Sequence, residues 1–247
     1  MSFTDAALAR RIADIAGRLL LNLQDSALFE GKALGAAGDQ VSHAFMMEAL
    51  KTQRPDDAVL SEEGAADPAR LKSERIWIVD PLDGTREYSE RRTDWAIHVA
   101  LAVNGKPVAG AVALPGLDLT LSTDLPPPLP PAHQGPPRIL VSRTRPPKEA
   151  EAVAAALGAS LIPMGSAGAK SMAVLRGEAE AYVHAGGQYE WDSCAPVAVA
   201  AAAGLHVSRI DGSSCVYNRP DVSMPDLLVC RKEIADKILA AIAQVRG

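Results

Sequence analysis

The stretch Ile76-Trp77-Ile78-Val79-Asp80-Pro81-Leu82-Asp83-Gly84-Thr85 constrains this chain more than any other. Its four leading apolar residues read as a short buried strand, and a strand that ends in acid delivers a carboxylate to the edge of a sheet. Pro81 forces a turn, so Asp83 comes back toward the point that Asp80 faces, with the Leu82 carbonyl between them. Two carboxylates and a carbonyl form an oxygen cage suited to a hard cation. Gly84 lets a ligand approach the backbone, and Thr85 opens a helical turn whose free N–H groups suit a phosphate. A plain tight turn with Asp83 as a helix cap would use the same residues, so the rest of the chain has to decide between the two.

A second apolar run, Ala58 to Leu60, also ends in acid, at Ser61-Glu62-Glu63-Gly64. Far along the chain Trp191-Asp192 precedes Ser193-Cys194-Ala195-Pro196, where Asp192 taken alone reads as a helix cap. In order and spacing, Glu62-Glu63, then Trp77 to Thr85, then Trp191-Asp192 resemble the inositol monophosphatase superfamily of lithium-sensitive, magnesium-dependent phosphatases. The likeness is dense from Val59 to Leu114 and from Gly165 to Gly204.

That resemblance implies an α/β (α+β) fold, a layered α-β-α-β-α sandwich, with two or three Mg²⁺ ions held by Glu62, Asp80, the Leu82 carbonyl, Asp83 and Asp192. Clustered carboxylates repel one another, so a set this dense makes sense mainly when divalent cations neutralise it. The resemblance gives Asp39, Glu62 and Thr85 the task of turning a water into the nucleophile. It places substrate against Gly84, Thr85, Arg86, Ser142, Arg143, Ser166, Lys170, His184 and Asp192.

Within the superfamily, Thr85-Arg86-Glu87-Tyr88 is similar to the continuation after Asp-Gly-Thr in CysQ-type enzymes, as are Asp94 to Ala100 and Gly105-Lys106-Pro107-Val108. The implied reaction is conversion of 3′-phosphoadenosine 5′-phosphate (PAP) to AMP and phosphate. A broader phosphatase acting on inositol monophosphate or fructose 1,6-bisphosphate is the alternative. A catalytically silent phosphate-binding scaffold is a third reading, but such proteins usually lose a metal carboxylate and here every ligand position is filled. Two positions depart from the family pattern. Ala33-Leu34-Gly35-Ala36-Ala37-Gly38 replaces an acid-Ser-Pro-x-Thr stretch ahead of Asp39, and His184 stands where an arginine is common.

The spacing of apolar residues predicts an amphipathic helix over Ser2 to Leu23 and a second over Asp39 to Gln53, with Asp39 as its N-cap. Trp95 to Val103 and Pro107 to Leu114 read as a hairpin, because Asn104-Gly105 is the pair that a type I′ turn prefers. Leu125 to Pro137 is dense in proline and reads as a linker between domains 1–124 and 138–247. Beyond it, strands at Ile139–Val141, Leu161–Ile162, Ala181–His184 and Leu227–Cys230 alternate with helices at Lys148–Leu157, Ala169–Arg176, Trp191–Ala203 and Lys232–Val245.

Composition excludes several classes. A net charge of −5, with no clustered basic residues, offers no field for a nucleic-acid backbone. No apolar run approaches the about 20 residues that cross a bilayer. Acids among the arginines of the first 23 residues are unlike a signal or transit peptide, so the expected compartment is the cytoplasm. Three cysteines are too few for a disulfide framework or a zinc knuckle. A small phosphorylated molecule is the expected partner, with a homodimer as the assembly the resemblance allows.

Overall fold

The computed structural model describes residues 3–65 and 67–246. Helix α1 (Asp5–Asp25) starts where the Thr4 hydroxyl accepts a hydrogen bond from the Ala7 N–H at 3.2 Å. Leu8, Ile12, Ala16 and Leu20 recur every four residues and form its buried stripe. The expected start of this helix, Ser2, lies outside the described residues.

Helix α2 (Gly31–Gln53) corrects one expectation: Asp39 is not its N-cap but lies in its middle, because Ala33 to Gly38 is helical. Glycine weakens a helix, and close packing offsets that loss here. A Cβ on Gly35 would lie 2.6 Å from Ser89 Oγ and 2.8 Å from Thr85 Cγ2, and one on Gly38 would lie 2.8 Å from the Tyr88 ring. Only a glycine face lets α2 come this near to the loop after Asp83.

The first sheet has the order β1-β2-β3-β4-β5, with β1 (Ala58–Ser61) parallel to β2 (Arg75–Asp83). Strands β3 (Ala96–Val103), β4 (Lys106–Leu114) and β5 (Leu119–Ser122) continue it antiparallel. Both turn residues between β3 and β4 adopt positive φ, Asn104 at 49° and Gly105 at 75°, as the hairpin reading requires. The β2–β3 register slips between Asp80 and Asp83, so Pro81 and Leu82 bulge out of the ladder and Asp83 is re-aimed. Helix α3 (Thr85–Ser89) follows immediately after Gly84, which has a φ of 90°. Strand β5, a four-residue edge strand with only two buried positions, is not among the strands expected from the sequence.

Residues 125–137 contain neither helix nor strand. The second sheet has the order β7-β6-β8-β10-β9. Its strands are β6 (Arg138–Ser142), β7 (Ser160–Met164), β8 (Ala181–Tyr189), β9 (His206–Ser208) and β10 (Ser223–Cys230). Helices α4 (Lys148–Leu157), α5 (Ala167–Leu175), α6 (Glu190–Ala202) and α7 (Lys232–Arg246) alternate with them. The short β9 is the second strand that the sequence left unassigned.

Alternation along the strands sorts the core into layers. Trp77, Val79, Ile97, Val99 and Leu101 pack on α1 and α2. The opposite face, Ile76, Ile78, Ala96 and Ala100, shares one core with α5, α6 and Tyr182 and Leu227 of the second sheet. The far face of that sheet, including Ile139, Val183 and Leu228, packs on α4 and α7. The five layers are α-β-α-β-α. Among the described residues no helix is long and apolar enough to cross a membrane. The thiols of Cys194, Cys215 and Cys230 are all free.

Candidate active site

The core face of β2 carries Ile76 and Ile78, and two residues further on the same alternation brings Asp80 to the inter-sheet layer. Asp80 is 1% exposed. Its Oδ1 accepts the Leu82 N–H at 3.0 Å, while its buried Oδ2 has no donor within reach. Burial drives this carboxyl well above the usual range, and Glu62, Asp83 and Asp192 add to the effect. A buried oxygen surrounded by acids and lacking a donor requires either a proton or a cation.

Asp83 solves the same problem differently. Ser166 Oγ donates to its Oδ2 at 2.5 Å, Gly168 N–H donates to the same oxygen at 2.7 Å, and His98 Nε2 stands 3.2 Å away. His98 Nε2 makes no aligned hydrogen bond there, and the contact becomes an ion pair when the imidazole is protonated. Burial alone would push Asp83 up, but His98, Ser166 and Gly168 outweigh it and hold the carboxyl down to about 2. With Oδ2 saturated, Oδ1 is left for a ligand.

Asp192 lies in the first turn of α6 and accepts the Tyr189 N–H at 2.6 Å, so the cap reading of this residue is realised. It is nevertheless part of the cluster, because one oxygen each from Asp80, Asp83 and Asp192 falls within 4.8 Å of the others. Burial and the Asp83 charge push Asp192 up to about 7, although the Tyr189 N–H pulls the other way. Glu62, just past β1, is exposed at the rim. The protein mass around it and the charges of Asp83 and Glu63 raise its carboxyl, while its contact with Asp80 and the charge of His98 lower it. The donor set is therefore hard oxygen throughout, with one orphaned buried atom, and it fits a divalent cation.

Beside this cluster, Asp39 on α2 meets Thr85. The Thr85 hydroxyl lies 3.3 Å from Asp39 Oδ1 and 3.1 Å from the Leu82 carbonyl oxygen, between two acceptors. Partial burial and the charges of Glu63 and Glu62 push Asp39 up to about 7, against the Thr85 hydrogen bond. The same helix tethers both acid loops, since Ser42 Oγ donates to the Pro81 carbonyl at 2.7 Å and His43 Nδ1 is 2.9 Å from Ser61 Oγ.

The family profile of the inositol monophosphatases matches residues 6–125 and 136–246. The chain belongs to the inositol monophosphatase family. A 3′-phosphoadenosine 5′-phosphate phosphatase of Mycobacterium bovis is 48% identical over 242 residues, covering 92% of this chain and 89% of that protein. The 3′(2′),5′-bisphosphate nucleotidase CysQ of Escherichia coli K12 is 32% identical over 204 residues, covering 73% of this chain and 78% of its own. The crystal structure of CysQ from Bacteroides thetaiotaomicron superposes with a TM-score of 0.77 at 26% identity, covering 92% of this chain and 97% of that one.

Within this inositol monophosphatase frame, the residues expected to touch substrate are placed differently from one another. Gly84 and Thr85 stay at the open side, partly exposed. Arg86 is exposed and pairs with Glu90 at 2.9 Å, whereas Arg143 crosses from β6 to bond Glu87 at 2.7 Å and Glu90 at 3.0 Å. Ser142, half-buried beside Arg143, accepts the Arg145 N–H at 3.3 Å. Ser166 and Lys170 are placed inside instead. Ser166, with a positive φ of 48°, is strained while it holds Asp83. Lys170 is 5% exposed, and its ammonium donates to the carbonyls of Met164, Gly165 and Ser166 at 3.4, 3.1 and 2.6 Å. His184 donates from Nε2 to the Gly186 carbonyl at 2.8 Å, and burial pushes its pKa down to about 4, so it is neutral near pH 7. His98 is the site residue that sequence reasoning passed over. Its one signal is a lone polar side chain in the apolar run Ala96-Ile97-His98-Val99-Ala100.

Proposed function

We propose that this chain is a Mg²⁺-dependent phosphomonoesterase that removes the 3′-phosphate of PAP, leaving AMP, in the cytoplasm. The reaction would recycle the by-product of sulfate activation. The observation that carries the metal half of this reading is the buried, donorless Asp80 Oδ2 beside Asp83 and Asp192. The substrate half rests on the 48% identity to a protein named for that activity. Glu62, Asp80, the Leu82 carbonyl, Asp83 and Asp192 would hold two or three ions, drawn from both halves of the chain, 1–124 and 138–247, on either side of the linker 125–137. Bound Mg²⁺ would supply charge neutralisation and Lewis-acid polarisation of the phosphoryl group.

The chain's own groups do the rest. Asp39 would accept the proton that the attacking water releases, with the Thr85 hydroxyl, 3.3 Å from Asp39 Oδ1, acting as its partner on that water. The N–H groups at the start of α3 receive phosphate oxygens. Arg143, held by Glu87 and Glu90, would be the basic side chain offered to a second phosphate.

Phosphate release from PAP, inositol 1-phosphate and fructose 1,6-bisphosphate at equal concentration, with Mg²⁺ or with EDTA, tests the proposal. A strong PAP preference abolished by EDTA is expected. Equal rates on all three would make the chain a generalist and refute the nucleotide assignment, and an absence of release from any of them would refute the phosphatase reading.

A further inference from the structure

We propose that His98 is a positioning residue that locks the Asp83 carboxylate and the Trp191-Asp192 segment into one metal-binding arrangement. The inference rests on the reading of Asp80, Asp83 and Asp192 as metal ligands. Two of those ligands come from β2 and its bulge, the third from the first turn of α6. The two motifs are more than a hundred residues apart in sequence. Their relative placement must be fixed to a fraction of an ångström, because a ligand set assembled on two elements is only as accurate as the contact between them.

His98 makes that contact. It is the cross-strand partner of Asp80 in the β2–β3 ladder, so its side chain emerges on the same face of the sheet. The ring is fully buried. Nδ1 lies 3.0 Å from the Trp191 carbonyl oxygen, which can only accept, so Nδ1 carries a hydrogen and donates it. Nε2 faces Asp83 Oδ2 at 3.2 Å. One rigid imidazole thus spans the backbone immediately before Asp192 and the carboxylate of Asp83. The fold makes room for it at Gly168, where a Cβ would come within 2.1 Å of Nε2. Ser166 and Gly168 complete the fixation by donating to the same Asp83 oxygen, which leaves Oδ1 uncommitted.

A histidine that served only to fill space would not need Nδ1 on the Trp191 carbonyl and Nε2 within 3.2 Å of the Asp83 carboxylate. Ala96 and Ala100 line the same face, so packing alone does not call for a polar ring there. Outer-shell partners of metal ligands typically change metal affinity by about 10–100-fold when removed.

The test is direct titration of Mg²⁺ and Mn²⁺ by calorimetry into the wild type, His98→Leu and His98→Asn. Folding of each is checked by circular dichroism, and KM is measured at saturating metal. Asparagine is too short to reach both partners but keeps the site polar, so it carries the test if the leucine variant does not fold. Metal affinity should fall at least about tenfold in each folded variant, with KM at saturating metal within about threefold of wild type. Affinity within about twofold of wild type in a folded variant, or tighter binding, overturns the inference, as does a wild type that binds neither ion. A wild type that binds metal but releases no phosphate would sink the phosphatase reading and leave this inference standing.

Discussion

Asp80→Asn should stabilise the metal-free protein while removing its response to magnesium. Asparagine keeps the acceptor for the Leu82 N–H, which Asp80 Oδ1 now meets at 3.0 Å. It replaces the donorless Oδ2 with an amide that can donate to the neighbouring acids. A buried polar atom left unsatisfied costs about 1–3 kcal/mol. In a chain of this length each kcal/mol moves Tm by about 2–4 °C, so the variant should melt about 2–12 °C higher in EDTA. Mg²⁺ at a hundred times its Kd should stabilise the wild type by about 2.7 kcal/mol, a rise of about 5–11 °C. The variant should show almost none of that rise and almost no turnover. Scanning calorimetry at pH 8 in EDTA and in excess Mg²⁺ measures all of these shifts. A lower Tm for the variant in EDTA, or an undiminished Mg²⁺ shift, would refute the reading of Asp80 Oδ2 as an unsatisfied oxygen that a cation fills.

Gly35→Ala places a methyl group 2.6 Å from Ser89 Oγ and 2.8 Å from Thr85 Cγ2. It should lower stability by about 1–3 kcal/mol and reduce kcat more than KM by pushing Asp39 away from Thr85; an unchanged Tm and kcat would exclude the close-packing account. The pH dependence of stability in EDTA should separate Asp192→Asn from wild type. The Asp192 carboxyl titrates near its usual value of 3.8 when unfolded and about 7 when folded. The folded form therefore binds the extra proton, and wild-type stability is lost as pH rises from about 4 to about 7, by at most about 1.4 kcal/mol per pH unit, and is level above. The asparagine variant lacks that loss, so its Tm advantage should grow from pH 5 to pH 7 and vanish in excess Mg²⁺. A difference that stays flat across this range would contradict the assignment.

Much of the molecule is legible along the chain because its signals are local. The hairpin turn follows from two residues that tolerate positive φ, Asn104 and Gly105. The helices of the second half follow from 3.6-residue periodicity. The family resemblance supplied the five layers and the acids of the cluster. What misled was also local: Asp39 reads as the N-cap of a helix that starts there, yet Ala33 to Gly38 is already helical, because the glycines' lack of side chains is what lets α2 dock against Thr85, Ser89 and Tyr88. Such a contact depends on a surface that the segment itself does not encode. Strands β5 and β9 escaped for a related reason, being edge strands of four and three residues that are held by their neighbours rather than by their own pattern.

The sequence by itself determined which groups are present: five metal-ligand candidates in three motifs, a strand that ends in acid, and a glycine that opens the phosphate-side turn. Only the tertiary structure decided how those groups are employed. It turned Lys170 inward onto three carbonyls, made Ser166 a support for Asp83, left Asp80 Oδ2 without a donor, and set His98 between segments that meet only after folding. Side-chain chemistry is fixed by the residue, but burial and partners are properties of the packed chain, and those two quantities set protonation and therefore the role of each group.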